Sequence, residues 1–357
     1  MNFVFRVDSS DRMGSGHVMR CLMLATSLLD EGHYVKFLCR EHNGNIYDIL
    51  QSPLLNFTLL KNTNLNYSDK DNNSWLGVNQ EEDAIQTIKS LDGEVYDWMI
   101  IDHYFLDFNW ERKLKKYVKK ILVIDDLANR THECDILVDS NYVDNFHKRY
   151  QNKTNSTCLK LLGPDYCFIS KEFHKFRNSP RKRSNIVERV LIYFGGVDEY
   201  NLTEKCLKIF SSNNLKHIKL DVVVGGMNKN HKSLKIIASK RGSTHIHRSL
   251  PNLANLMNSA DLSIGAGGVT TWERMFLGLP SIIITIAENQ IAGANELAKN
   301  NYITYLGHYN QLSLDQLKNS IMKKIEDRDN LFLESHSAEN LVDGNGLSRI
   351  ISHITNT

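Results

Sequence analysis

The chain has 357 residues, 24% of them charged and 41% hydrophobic, and 43 Lys and Arg against 41 Asp and Glu leave a formal net charge of +2. That length is too great for one small core and suits two domains, while the charge balance leaves no footprint for nucleic acid or an anionic membrane surface. The longest apolar runs, such as residues 282–286, are strand-length and far short of the roughly 20 residues that a membrane span requires, so no membrane insertion is expected.

The chain opens on an apolar run at residues 3–7 that reads as a buried strand. Arg6, Asp8, Asp11 and Arg12 lie within the first dozen positions and exclude the apolar core of a signal peptide. Residues 17–31 follow as a helix with Val18, Cys21, Leu22, Ala25, Leu28 and Leu29 on one face. Further strands are expected at 35–39, 98–101, 121–124 and 136–138, and further helices at 82–91 and 109–119. Residues 61–79, rich in Asn, Asp and Ser, read as a loop. Strands alternating with helices at this spacing indicate βαβ units and a parallel sheet. Six scattered cysteines without a CxxC pair fit a reducing cytoplasm, not a disulfide framework or a zinc site.

Between residues 141 and 188 the pattern loosens, with Gly163-Pro164 and Asn178-Ser179-Pro180, and the domain boundary is placed at about residue 180. The basic run Arg181-Lys182-Arg183 reads as a solvated linker. A second alternating series then begins. Strands are expected at 190–194, 220–224, 244–247, 262–264, 281–286 and 303–306. Helices are expected at 202–211, 232–240, 252–259, 270–277 and 291–300, with more from about 314. The expected architecture is α/β, with two doubly wound domains at 1–180 and 181–357 facing each other across a cleft. The last helix is a candidate to pack back on the first domain. Ligands of open parallel sheets bind beyond the carboxyl ends of the strands, so the loops there hold the candidate site residues.

In the first domain the turn Gly14-Ser15-Gly16-His17 joins strand to helix. It is no dinucleotide fingerprint, because Met19 stands where a third glycine is expected. His17 at the helix start is the candidate general base, a neutral imidazole being the form that deprotonates water. Arg20 either reaches the same cleft or braces the loop through Asp8 or Asp11, and Asp8 itself is split between turn-capping, which is favoured, and function. Asp102-His103-Tyr104 and Asp125-Asp126 end two other strands. No nearby His, Asp or Glu completes a metal site at Asp125 and Asp126, and no metal or cofactor is expected.

In the second domain Gly265-Ala266-Gly267-Gly268, with Thr270 and Thr271, offers open backbone amides and two hydroxyls at a helix start. Such a nest suits a diphosphate without lysine or metal; the same residues also make a tight turn capped by Thr270. Glu273 either favours the helix dipole or accepts hydrogen bonds from ribose hydroxyls. Asn289-Gln290 combines donors and acceptors suited to sugar hydroxyl or acetamido groups. Gly195-Gly196 leaves room for a ligand, with Asp198 following, and His245 and His247 share a strand face and read as packing.

Taken together these segments resemble the UDP-2,4-diacetamido-2,4,6-trideoxy-β-L-altropyranose hydrolases of pseudaminic acid biosynthesis, and more distantly the MurG-like GT-B glycosyltransferases. The resemblance is carried by Arg6-x-Asp8 through Gly14-x-Gly16-His17-Val18-Met19-Arg20-Cys21, Asp102-His103-Tyr104 and Asp125-Asp126-Leu127. It continues through Leu162-Gly163-Pro164-x-Tyr166, Phe194-Gly195-Gly196-x-Asp198, Gly267-Gly268-x-Thr270-Thr271-Trp272-Glu273, Gly278-x-Pro280 and Asn289-Gln290. It implies a GT-B fold with the nucleotide on the second domain and the sugar facing the first. His17 matches the catalytic histidine, Tyr104 and Asn289 match sugar-lining positions, Leu250 and Leu253 map to the uracil loop, and Glu273 matches the ribose-binding carboxylate. Val269 departs from the serine common at that position, which leaves side-chain help for the phosphate to Thr270 or Thr271. The implied reaction is hydrolysis of a UDP-sugar to free sugar and UDP. The alternatives are transfer to another acceptor and sugar-nucleotide binding without catalysis.

Overall fold

The central strands of the first sheet are mainly apolar because helices cover both faces of a parallel sheet. In β1 (Asn2–Val7) every residue after Asn2 is buried, and Phe5 stacks on Phe37 of the neighbouring β2 (Tyr34–Arg40) with ring centroids 4.8 Å apart. The computed structural model describes residues 1–50, 55–62, 75–178, 181, 183, 186–248 and 250–356. Most of the 61–79 stretch read as a loop therefore lies outside the described residues, as do Pro180 and Lys182 of the linker.

The described residues divide into two compact units, one of residues 1–141, 145–168 and 345–357, the other of 142–144 and 169–344. The division at residues 168 and 169 falls within the loosened stretch 141–188 and ahead of residue 180, and the chain returns to the first unit at its C-terminal end. After β1 come α1 (Gly16–Asp30), β2, β3 (Asn56–Leu60), α2 (Gln80–Ser90), β4 (Tyr96–Asp102), α3 (Phe108–Leu114), β5 (Val118–Ile124), β6 (Ile136–Asp139) and β7 (Leu159–Leu162). All seven strands are parallel, in the order β3-β2-β1-β4-β5-β6-β7.

The second unit holds α4 (Lys171–Arg177), β8 (Arg189–Tyr193), α5 (Leu202–Phe210), β9 (Lys219–Val224), α6 (His231–Arg241), β10 (Thr244–Arg248) and α7 (Ala254–Ser259). It continues with β11 (Leu262–Ala266), α8 (Thr270–Phe276), β12 (Ser281–Thr285), α9 (Ile291–Lys299), β13 (Thr304–His308), α10 (Leu314–Glu326) and α11 (Arg328–Leu341). Its six strands are also parallel, ordered β10-β9-β8-β11-β12-β13. Both units are thus doubly wound, with strand order reversing between β1 and β4 and between β8 and β11. Those are the positions where ligands sit beyond the strand ends in such sheets.

The last helix, α12 (Gly346–Thr355), belongs to the core of the first unit, where Leu347, Ile350, Ile351 and Ile354 pack with Phe3, Phe5 and Trp98. The Trp98 indole N–H donates to the Ile354 carbonyl at 2.9 Å. Gly346 starts the helix because a Cβ there would stand 2.2 Å from the Cys167 carbonyl oxygen. Ile354→Ala is expected to cost ~2–5 kcal/mol of stability through lost burial and cavity formation. The check is the urea midpoint of the first unit, and an unchanged midpoint would show that the helix contributes nothing to that core.

Three features differ from the sequence expectations. The strands β3 and β7 and the helix α4 were not anticipated, α3 ends at Leu114 instead of running to 119, and Arg181 and Arg183 are not a solvated linker. Arg183 donates to the carbonyls of Met257, Ala260 and Leu277, where α7 and α8 end, and Arg181 donates to Ser259 and pairs with Asp261 at 2.7 Å. Cations satisfying the last carbonyls of helices are favoured by the helix dipole. Among the described residues no helix is long and apolar enough to cross a membrane.

Candidate active site

In the first unit the site forms where β1 and β4 pair, with Val7 opposite Asp102. The chain leaves β1 through a turn in which Gly14 adopts φ +72°, and enters α1 at Gly16 with no side-chain cap from Ser15. This places His17 in the first helical turn, beside the last residue of β4. His17 Nδ1 lies 2.6 Å from Asp102 Oδ1, and the histidine is 6% exposed.

Arg20, one turn further along α1, clamps the same carboxylate with both ends of its guanidinium. Its Nε donates to Asp102 Oδ2 at 2.5 Å and one Nη to Oδ1 at 2.6 Å, while the other Nη donates to Asp126 Oδ2 at 3.0 Å. Burial alone would push the Asp102 carboxyl up, but Arg20 and His17 hold it well below the usual carboxylate range. An ionised Asp102 assigns the proton to His17 Nδ1, so the 3.1 Å approach of Arg20 to that nitrogen is a packing contact. Nε2 is then the basic nitrogen. The ring is further fixed by Tyr104, edge-on with centroids 4.5 Å apart. Tyr104 is itself hydrogen-bonded to Asp126, and burial followed by that charge holds its hydroxyl well above the usual range.

A buried ionic network lies under this turn. Asp8 accepts from Arg6 at 2.6 and 2.9 Å and from the Arg40 amide at 2.6 Å, and Asp83 of α2 pairs with Arg6 at 2.6 Å and Arg40 at 2.7 Å. His103 Nδ1 accepts from the Phe105 amide, which turns its Nε2–H toward Asp8 at 3.3 Å. Arg20 braces the site through Asp102 and Asp126 rather than through Asp8 or Asp11. Asp125 is occupied by Arg130, Tyr150 and the Ala128 amide. Among the described residues no group of three His, Cys, Asp or Glu is arranged to hold a metal ion.

In the second unit the loops at the carboxyl ends of β8, β9, β11 and β12 gather the other candidates. Gly195 adopts φ +86°, and a Cβ at Gly225 would stand 2.1 Å from the Gly196 carbonyl oxygen, so the loops after β8 and β9 touch backbone to backbone. Asp198 accepts from the amides of Leu202 and Thr203 and caps α5. Gly268 has open space where a side chain would be, and Gly267 is flanked by Gln290. Val269, not Thr270, precedes α8, and no side chain caps that helix. Thr271 is buried and its hydroxyl accepts from Arg274 at 3.0 Å, which leaves Thr270 on the half-buried rim of the turn. Gln290 Oε1 accepts from the Ile286 amide, and Asn289 is exposed in the short turn before α9. Before α7, Leu250 is exposed and Leu253 buried.

Glu273 is the most unusual group in this unit. It is buried on α8, its carboxylate makes no hydrogen bond among the described residues, and burial, only partly opposed by Arg274, raises its pKa to about 7. Arg274 turns away, donating to the Ala266 carbonyl at 2.6 Å. A buried carboxyl left without donors is costly unless a ligand supplies them.

The orienting role of Asp102 was not read from sequence, where the residue stood only as the end of a strand. The signal available was an acid closing the apolar run Trp98 to Ile101, one strand from the histidine turn.

Residues 190–353 match the glycosyltransferase family 28 C-terminal domain. A Campylobacter jejuni UDP-2,4-diacetamido-2,4,6-trideoxy-beta-L-altropyranose hydrolase is 27% identical over 304 residues, covering 85% of this chain and 98% of that protein. An uncharacterized Methanocaldococcus jannaschii protein, MJ1062, is 26% identical over 363 residues; the match takes in 100% of this chain but only 66% of that protein's length. Among solved structures, Acinetobacter baumannii MurG superposes with a TM-score of 0.67 at 13% identity, covering 100% of both chains. The fold is therefore GT-B-like.

Proposed function

We propose that this chain hydrolyses a UDP-linked 2,4-diacetamido-2,4,6-trideoxyhexose to the free sugar and UDP, by attack of water at the anomeric carbon with inversion. The observation that carries the proposal is the His17–Asp102–Arg20 constellation, and the similarity to the Campylobacter hydrolase supports its chemical sense. Water is oriented by His17 Nε2, which takes its proton as the new C–O bond forms. The bond from the anomeric carbon to the diphosphate oxygen breaks, and its electron pair leaves with UDP. Asp102 stabilises the imidazolium as it forms, and Arg20 keeps Asp102 ionised and in register.

The second unit takes the nucleotide. The backbone amides around Gly267 and Gly268, with the Thr270 hydroxyl, meet the charge that grows on the diphosphate. Glu273 accepts from the ribose hydroxyls, which supplies the donors its buried carboxylate lacks. Leu250 and Leu253 serve the uracil, Gly195 and Gly196 leave space for the ligand, and Asn289 and Gln290 address the sugar; in the first unit Gly14 and Gly16 open the turn that leads to His17.

A transferase reading is favoured by one observation, the match of residues 190–353 to a glycosyltransferase domain. Water as sole acceptor separates the two. The purified protein, given the UDP-sugar alone in 18-O water, is expected to release UDP and to place the label in the sugar. No UDP without an added acceptor would favour transfer, and label in UDP would overturn attack at carbon.

A further inference from the structure

Beside His17 stands an aromatic surface that the proposed chemistry does not yet use. Trp75 lies with its ring centroid 6.4 Å from Tyr104 and inclined 37° to it, and 5.7 Å from Phe105 at 63°. Tyr104 in turn meets His17 edge-on. Trp75, Tyr104 and Phe105 are all half-buried, so each retains an exposed part. The other three tryptophans, Trp98, Trp110 and Trp272, are buried.

Trp75 is held there by rigid structure. Leu76 and Val78 are buried beside it, and Gly77 between them has φ +76° with the Arg40 side chain 3.0 Å from where a Cβ would be. Asn79 caps α2 through the Glu82 amide, and α2 is fixed by Asp83 to Arg6 and Arg40. Gln80 donates to Asp107 at 3.2 Å, tying this segment to the one that carries Tyr104 and Phe105. With Tyr104 and Phe105, Trp75 makes one contiguous cluster of partly exposed rings beside His17, and rigid rings offer contact area at small entropic cost.

We propose that Trp75 and Tyr104 form a platform for the methyl-bearing apolar face of the sugar, making Trp75 a specificity-determining residue for N-acetylated over fully hydroxylated hexoses. The inference rests on the reading of His17 as the base acting at the sugar. A hexose whose hydroxyls are replaced by acetamido and methyl groups has more C–H surface to lay on these rings. A fully hydroxylated hexose would bury polar groups there without partners.

The test is a binding titration with UDP-N-acetylglucosamine, UDP-glucose and UDP, read by tryptophan fluorescence in the unaltered protein and Trp75→Phe and by calorimetry in variants. UDP-N-acetylglucosamine is expected to change the fluorescence beyond the change that UDP alone produces at Trp272 on α8, and this difference is expected to vanish in Trp75→Phe. Trp75→Ala is expected to raise the Kd for UDP-N-acetylglucosamine about tenfold, to shrink the preference over UDP-glucose, and to leave UDP binding within about twofold. Trp75→Leu should behave as the alanine variant does, and Trp75→Phe should restore most of the affinity. A fluorescence change no larger than that with UDP, unchanged affinity in both non-aromatic variants, or equal weakening of UDP would overturn the platform. Trp75-dependent sugar binding without UDP release in water would sink hydrolysis alone. UDP release at undiminished kcat/KM by Trp75→Ala would sink the platform alone.

Discussion

Alanine in place of His17 is expected to slow UDP release from the UDP-sugar by roughly 10²–10⁴-fold, the usual contribution of a positioned general base. The loss should fall on kcat, because in the proposed reaction the imidazole acts in the bond-making step and other residues hold the nucleotide. UDP affinity, measured separately, is expected to stay close to wild type. Asp102→Asn should reproduce much of the loss with His17 still present. An amide in that place no longer requires the proton on Nδ1, and it forfeits the ion pair that Arg20 makes at 2.5 Å. If His17→Ala turns over at a near-normal rate, the base lies elsewhere. If Asp102→Asn is fully active, orientation by the carboxylate contributes nothing.

The contrast between these two residues shows where sequence reading stopped. The position of His17 at the start of α1 was legible because its signal is local: a strand, a glycine turn and a helix start within twenty residues. The role of Asp102 depends on β4 lying against β1, a pairing across 95 positions that no local pattern encodes. Helix and strand alternation was likewise legible wherever burial imposes a period. It failed at Lys115 to Lys119, a charged stretch that reads as helix. There the chain enters β5, whose Val118 and Ile121 to Ile124 are buried beside β4, while Lys119 pairs with Asp97 on that neighbouring strand at 2.8 Å and Lys120 lies over the Trp98 ring. The strand β7 is only four residues long, with Leu159 exposed, too short for a period to register. Arg181 and Arg183 failed for the same reason as Asp102, since the helix ends they satisfy lie some 75 to 95 residues away.

The proposed placement of ribose on Glu273 yields the second large effect, through the charge state of that carboxyl. Its carboxyl has a pKa of about 7 in the free protein because burial is opposed only in part by Arg274. Ribose hydroxyls donate best to an ionised carboxylate, so UDP binding should pull that pKa down and release a proton. The affinity for UDP is therefore expected to strengthen about tenfold between pH 6 and pH 8, a dependence that Glu273→Gln should remove while weakening UDP binding. Titration of the phosphate itself is common to both proteins and cancels in the comparison. The stability of the unliganded protein should move the opposite way. A carboxyl whose pKa is raised on folding favours the fold below its unfolded pKa and loses that contribution as pH rises through about 7. Glu273→Gln should thus match the wild type near pH 4 and exceed it by up to ~3 kcal/mol at pH 8. Opposite pH trends of this kind are expected where a function is built at the expense of stability. Calorimetry of UDP binding and denaturant melts, each run across the same pH range, test both halves. Parallel pH profiles in the two proteins, or UDP affinity unchanged in the glutamine variant, would remove Glu273 from the nucleotide site.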